Sequence, residues 1–332
     1  MLPYGIGALI YAPLTEKYSY RSILAWSVAG YAVSSFICAA TSSLNIILFG
    51  RVVMGITSAG LVPLAIMIIG EIFEKKSRGR LMGLFFSFAF LANFIGLAMM
   101  GLAHWRWLFI VPGIMSVVLT GLLLLAGGQT LKSVHGQKIN YLESLKKKEI
   151  FHIFVFISLI SMLYHAVQKW YGVYLVQEYG FDKTMISFLL IVSMVGGLIG
   201  QNLGGFLSDS KNRLVSCYIG IYGLAFTSML LLGHFHTAFL AAVLFLMTMF
   251  WTVGHNGIST VLTDFAHTDR AVLASLNSGV RFLFGGVGFM ISGIFVEKSF
   301  GWTFFVIGVL FFILSFSLKH VIPSFSKGEI YE

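Results

Sequence analysis

Eleven apolar runs, each close to the length a helix needs to cross a lipid bilayer, follow one another through nearly the whole chain. A bilayer core is about 30 Å thick and takes roughly 20 apolar residues in helical form. Cutting at charges, prolines and polar clusters places the runs near residues 1–16, 21–41, 44–70, 79–101, 105–126, 150–176, 183–208, 213–233, 237–263, 271–296 and 302–322. No soluble domain fits between them. Charged residues make up 11% of the chain, against about 25% in soluble domains, and the mean hydropathy is +0.89. Too few charges are present to cover a water-soluble globule, so the apolar excess faces lipid. The two cysteines, Cys38 and Cys217, both lie in apolar runs and fit neither a disulfide framework nor a metal spacing; they read as small core residues. No cofactor is expected.

The longest polar stretch, residues 127–149, carries Lys132, Lys138, Lys146, Lys147 and Lys148 and divides the spans into five and six. It reads as a cytoplasmic linker between an N-terminal bundle (1–126) and a C-terminal bundle (150–332). Alternate loops differ sharply in charge: sixteen Lys and Arg lie on the linker's side, and only Arg106, Lys183 and Lys298 on the other. Cytoplasmic loops retain basic residues, so the linker and the C-terminus are expected in the cytoplasm, in the plasma (inner) membrane. The net charge of +9 then faces the inner leaflet and calls for no nucleic-acid partner.

A loop repeats. Ala12-Pro13-Leu14-Thr15-Glu16-Lys17, continuing to Ser19 and Arg21, is echoed by Gly205-Phe206-Leu207-Ser208-Asp209, continuing to Lys211 and Arg213, and the two acids are 193 positions apart. This resembles the signature loop of the major facilitator superfamily, Gly-x-Leu-Ala-Asp-Arg-x-Gly-Arg-Arg, although Ala12 and Ser19 replace both glycines in the first copy. Arg51-Val52-Val53-Met54-Gly55 through Gly60 is similar to that family's fourth-helix motif, with Met54 in place of Gln. Arg78-Gly79-Arg80 with Gly83, and the turn Trp105-Arg106-Trp107, also resemble it. The resemblance implies an all-α integral membrane transporter of two helical bundles, with 11 of 12 helices present. Residues 1–16 take the place of the second helix, so the first is expected upstream of Met1 unless the chain is a fragment.

The resemblance also implies that runs 44–70, 150–176 and 237–263 line a pore. Each carries a polar stripe at helical spacing: Arg51, Gly55 and Ser58; Ser158, Ser161, His165, Gln168 and Lys169; Thr252, Asn256, Ser259 and Thr263, with His255 beside them. Ionisable groups at mid-bilayer are costly and mark function. Here they are Arg51, Lys169, Arg281, His165 and His255, with no acid well inside a span. Fixed positive charge attracts anions, because Arg grips carboxylate or phosphate through a planar fork. The substrate-binding set is therefore Arg51, His165, Gln168, Lys169, His255, Asn256 and Arg281. Lys169-Trp170-Tyr171 through Leu175 is similar to organic-anion branches of the superfamily, without their proline. The signature-loop residues Glu16, Lys17, Arg21, Asp209 and Arg213 are implied to gate the cytoplasmic side, each acid meeting a helix start of the other bundle.

Gly196, Gly200 and Gly204, and Ala92 with Gly96, form small-residue seams that permit close helix packing, and Gln201 and Asn202 are expected to bridge helices. The expected function is secondary transport of a small solute by alternating access, an organic anion with protons as coupling ions, the protein acting as a monomer in the lipid bilayer. Two alternatives stand beside it: an exporter of hydrophobic compounds or drugs, and a non-transporting fragment or sensor. An intramembrane enzyme would need a metal or nucleophile constellation, and His234-Phe235-His236 lacks a third ligand.

Overall fold

The computed structural model describes residues 1–15, 17–72, 75–125, 140–210, 213–263 and 270–321, which are almost entirely helical. The helices are α1 (Leu2–Leu14), α2 (Tyr20–Ala40), α3 (Leu44–Ser58), α4 (Leu61–Ile72), α5 (Lys75–Leu102), α6 (Trp107–Leu125), α7 (Tyr141–Lys146), α8 (Lys148–Gln168), α9 (Tyr171–Tyr179), α10 (Lys183–Ser210), α11 (Arg213–Leu230), α12 (Thr237–Thr263), α13 (Arg270–Val296), α14 (Phe300–Ser315) and α15 (Leu318–Val321). Among the described residues, eight stretches are long and apolar enough to cross a membrane. Three shorter apolar helices, Leu2–Tyr11, Phe88–Leu102 and Phe300–Ser315, fall where three further spans are expected.

Helix ends have local causes. The Ser19 hydroxyl caps α2 by accepting from the Ser22 N–H, and Ser299 caps α14 through the Trp302 N–H, each satisfying a donor left over by the first turn. Gly180 ends α9 at φ 67°, a left-handed conformation that glycine adopts without a Cβ penalty. Asp182 then opens α10, its Oδ1 accepting from the Met185 N–H at 2.8 Å.

The structure adds detail in three places. Run 44–70 is two helices broken at Ala59 and Gly60, and run 150–176 is two helices broken at Lys169 and Trp170. At the first break Gly60 leaves room for the Tyr11 ring, and the Tyr11 hydroxyl donates to the Thr57 carbonyl at 3.1 Å, so a carbonyl near the break keeps a partner in lipid. The linker also carries a helix, α7, and α8 begins at Lys148; residues 126–139 lie outside the described ones.

The chain forms two compact units. The first comprises Met1–Tyr141 and Ala271–Leu283, the second Leu142–Arg270 and Phe284–Glu332. In the first, α2 packs on α3 and α6, and α1 on α3, around a core of Ala8, Tyr11, Tyr20, Ile23, Ala59 and Leu64. Gly55 fits against Pro3 and Tyr4 of α1, and Gly5 against the α13 backbone at Gly279 and Leu283. In the second, α12 lies against both α10 and α11, and α14 packs on α11 and α8. Cys38 and Cys217 are buried, free thiols, as expected of small core residues.

The two glycine seams have different fates. A Cβ on Gly196 would meet the Phe245 carbonyl, on Gly200 the Met249 carbonyl and Thr252, and on Gly204 the Val253 backbone. That seam seats α12 on α10, where Ser193 and Thr248 share a hydrogen bond of 2.5 Å and Thr252 donates to the Gly197 carbonyl at 2.9 Å. At the Ala92–Gly96 seam, no atom among the described residues lies within 4 Å of a Cβ built on Gly96.

Large apolar side chains stand outward on many helices, including Leu125 (83% exposed), Leu102 (81%) and Phe206 (68%). Water would oppose so broad an apolar surface, and lipid accepts it. The protein is a multi-pass integral membrane protein.

Candidate transport site

In the second unit, α8 and α12 bring an aromatic and imidazole cluster together. The Tyr164 ring stacks on the Trp251 indole with centroids 3.9 Å apart and planes 1° apart. His165 lies 5.7 Å from the same indole, and His255, one turn along α12, lies 6.2 Å away at 25°. The His255 Nε2 is 3.3 Å from the Ser259 hydroxyl. Beside this cluster α8 carries Ser161 and Gln168, whose buried Oγ and Oε1 have no hydrogen-bond partner among the described residues. Buried polar atoms normally find partners, so these two oxygens are suited to accept from a solute or water.

Two of the polar stripes expected from the sequence, on α8 and α12, thus meet in part. Ser158 does not join, because its hydroxyl donates to the Phe154 carbonyl at 2.7 Å. Thr252 is held by the α10 packing. Asn256 takes the Gln201 amide at 2.8 Å and donates back to the Gln201 carbonyl; Gln201 is therefore the helix bridge expected of it, whereas Asn202 bonds the Leu198 carbonyl of its own helix. Lys169 is exposed at the end of α8, beside Trp170, whose indole N–H donates to Ser292.

Tyr164 and Trp251 are functional candidates that sequence reasoning missed. A signal was present: Trp251 sits in the interior of its span, whereas membrane tryptophans concentrate at the interfaces.

In the first unit, Arg51 is exposed on α3, with its guanidinium 5.8 Å from the Phe109 ring and 3.5 Å from the Met54 sulfur. Gly55 and Ser58, which share its stripe, serve the helix itself: Gly55 packs on α1, and Ser58 bonds the Gly55 carbonyl at 3.3 Å. Arg281 is half-buried on α13, next to Phe282, whose ring lies 4.3 Å from that of Tyr4.

Of the gate residues, Glu16 and the Asp209 side chain lie outside the described residues. Lys17 is exposed and Arg213 half-buried. Arg21 braces a helix end, its guanidinium donating to the Leu123 and Leu124 carbonyls at 2.5 Å each. The last carbonyls of a helix lack partners and carry partial negative charge, so Arg21 caps the C-terminal end of α6. Replacing Arg21 with Ala is expected to cost ~1–2 kcal/mol and to lower the thermal unfolding midpoint of the purified protein, with Lys restoring part of it; an unchanged midpoint in Arg21→Ala would refute the cap.

A multi-helix membrane protein with tight glycine seams and a polar and aromatic cluster within its spans has the construction of a solute transporter. The model of the Major Facilitator Superfamily matches residues 1–288, and the chain belongs to that family. It is 27% identical to the MFS-type efflux transporter pyiT of Pyricularia grisea over 58% of this chain and 30% of that protein. With the multidrug export protein EmrB of Escherichia coli (strain K12) it shares 30% identity over 38% of this chain and 27% of that one. The match to the MFS-type transporter YceJ of Bacillus subtilis (strain 168) is 24% identical but covers 99% of this chain and 86% of YceJ. The chain therefore matches less than a third of the length of the first two relatives and most of the third. Among solved structures, the nucleoside transporter NupG superposes with a TM-score of 0.77 at 12% identity, covering 97% of this chain and 89% of that one, which is a likeness of fold.

Proposed function

We propose that the protein exports small organic solutes with a flat aromatic part by alternating access between the two sides of the membrane. The observation that carries this reading is the Tyr164–Trp251 stack flanked by His165 and His255. Aromatic faces hold flat apolar groups, and the imidazoles and the free Gln168 oxygen supply orientation. The printed functions of pyiT and EmrB, efflux and multidrug export, support the direction.

Within this reading Arg51, Lys169 and Arg281 favour a solute that also bears negative charge. His165 and His255 carry coupling protons, imidazole being a side chain that can take up and release a proton, and Asn256 orients the solute from its bridge to Gln201. Glu16, Lys17, Asp209 and Arg213 close the cytoplasmic side, and Arg21 supports them by holding α6. The protein works as a monomer in the plasma membrane, with its C-terminus in the cytoplasm.

The test is efflux from proteoliposomes of an anionic aromatic fluorophore, with an aliphatic carboxylate as comparison. Trp251→Ala is expected to slow the aromatic solute roughly two- to tenfold, the ~0.5–1.5 kcal/mol of an aromatic pair, with little effect on the aliphatic one, and Trp251→Phe to keep most of the rate. Unchanged aromatic efflux by Trp251→Ala at wild-type membrane abundance removes the cluster from the site.

A further inference from the structure

The second unit holds a furrow that transport by the α8–α12 cluster does not use. Met162 and Ala166 of α8 form its floor, and α13 and α14 its two walls; it encloses about 480 Å³. Its origin is a packing constraint. Gly288 brings the α13 backbone directly onto Met162, and α14 packs on α8, so the two outer helices share a floor and leave a channel between them. Phe295 (54% exposed), Trp302 (62%) and Val306 (52%) stand along the furrow, so its rim is apolar and exposed.

The furrow is nearly without free polar atoms. Ser292 donates to the Phe289 carbonyl at 3.1 Å and accepts the Trp170 indole N–H at 3.0 Å. The Thr303 hydroxyl donates to the Ser299 carbonyl at 2.6 Å. An occupant of the deep part gains by apolar contact alone. One end is different: the lining there includes a cation, Lys298, exposed in the short turn between α13 and α14, four residues before Trp302, whose amphipathic ring suits the level of lipid headgroups. Glu297, also exposed, does not line the furrow. Apolar depth with one cation at the rim is the complement of an amphiphile with a long chain and an anionic head.

We infer that this furrow is a binding site for an anionic phospholipid, one acyl chain lying between α13 and α14 over Met162 and Ala166 and the phosphate-bearing headgroup meeting Lys298. A lysine ammonium holds a headgroup phosphate as a point charge. Lys298 stands among the loops away from the linker, so the lipid is one of the outer leaflet, and about 1 kcal/mol per basic residue at an anionic lipid surface is about fivefold in binding. The site is separate from the proposed transport cluster, and its occupancy is read without any transport measurement.

The test uses the full chain, purified and stripped of lipid, then titrated with phosphatidylglycerol or phosphatidylcholine of identical acyl chains and read by native mass spectrometry. Phosphatidylglycerol is expected to be retained about fivefold better than phosphatidylcholine. Lys298→Gln is expected to erase that preference while leaving chain-driven binding. Val306→Trp, which fills the furrow from an exposed position, is expected to remove retention of both lipids. Equal retention of the two lipids by the wild type overturns the inference without recourse to any variant. So does a preference that survives Lys298→Gln, or retention that survives Val306→Trp. A neutral single-chain detergent that displaces phosphatidylglycerol at equal concentration would make the furrow a slot for apolar solutes, and would overturn it too.

Discussion

Replacing Gly200 with Leu is expected to prevent the second unit from assembling, with loss of the protein from the membrane or of any cooperative thermal transition after purification. The reason is geometric. The Gly200 position faces the Thr252 hydroxyl and, at closest approach, the Met249 carbonyl of α12, a backbone atom of a packed helix that no rotamer change can move aside. Even ordinary overpacking costs ~1–3 kcal/mol, and here the helices themselves must separate. Separation would also take Thr252 from the Gly197 carbonyl and Ser193 from Thr248, contacts made where water cannot replace them. Gly96→Leu is the matched control. Nothing among the described residues stands in the way of a side chain there, so its unfolding midpoint should stay near wild type. Equal stability of the two variants would show that the α10–α12 seam does not hold this unit together.

Arg281→Ala is expected to abolish transport of an anionic solute while the protein still reaches the membrane at normal abundance. Arg281 lies within an apolar helix, where a charged side chain carries an insertion penalty of roughly 2.5–3.5 kcal/mol. Removing it should therefore leave insertion intact or improve it. Its neighbours are structural: Gly279 receives Leu9, and Phe282 packs on Tyr4, so the packing of α1 on α13 does not rest on the guanidinium alone. Arg281→Lys should rescue poorly, because a point charge does not reproduce a bidentate fork. The measurement is uptake or efflux of paired anionic and neutral aromatic solutes. Full anion transport in both variants would take Arg281 out of the substrate set. Loss of neutral and anionic transport alike would assign it to conformational change instead of recognition.

The apolar runs determined by themselves that this chain is a bundle of membrane helices, because crossing a bilayer is a local requirement of length and composition that each run meets alone. The repeated acid and base loop and the Arg51 motif likewise carried the family, since such turns are written in adjacent residues. The seam at Gly196, Gly200 and Gly204 was legible too: three small residues at one helical spacing offer a groove whatever fills it. Tertiary structure decided which grooves were filled. Ala92 and Gly96 have the same spacing, yet no described atom closes on Gly96, because a seam needs a partner that local sequence does not name. The breaks at Ala59–Gly60 and Lys169–Trp170 were also invisible. The first interrupts a run that stays apolar across the break and is stabilised by Tyr11, a residue 46 positions away in sequence from the carbonyl it bonds; the second falls on Lys169, in a stripe whose polar residues read as pore lining. For the site, His165 and His255 were readable as costly polar groups in lipid. The stack that joins them was not, because Tyr164 and Trp251 look like ordinary apolar mass until α8 and α12 set one ring flat upon the other.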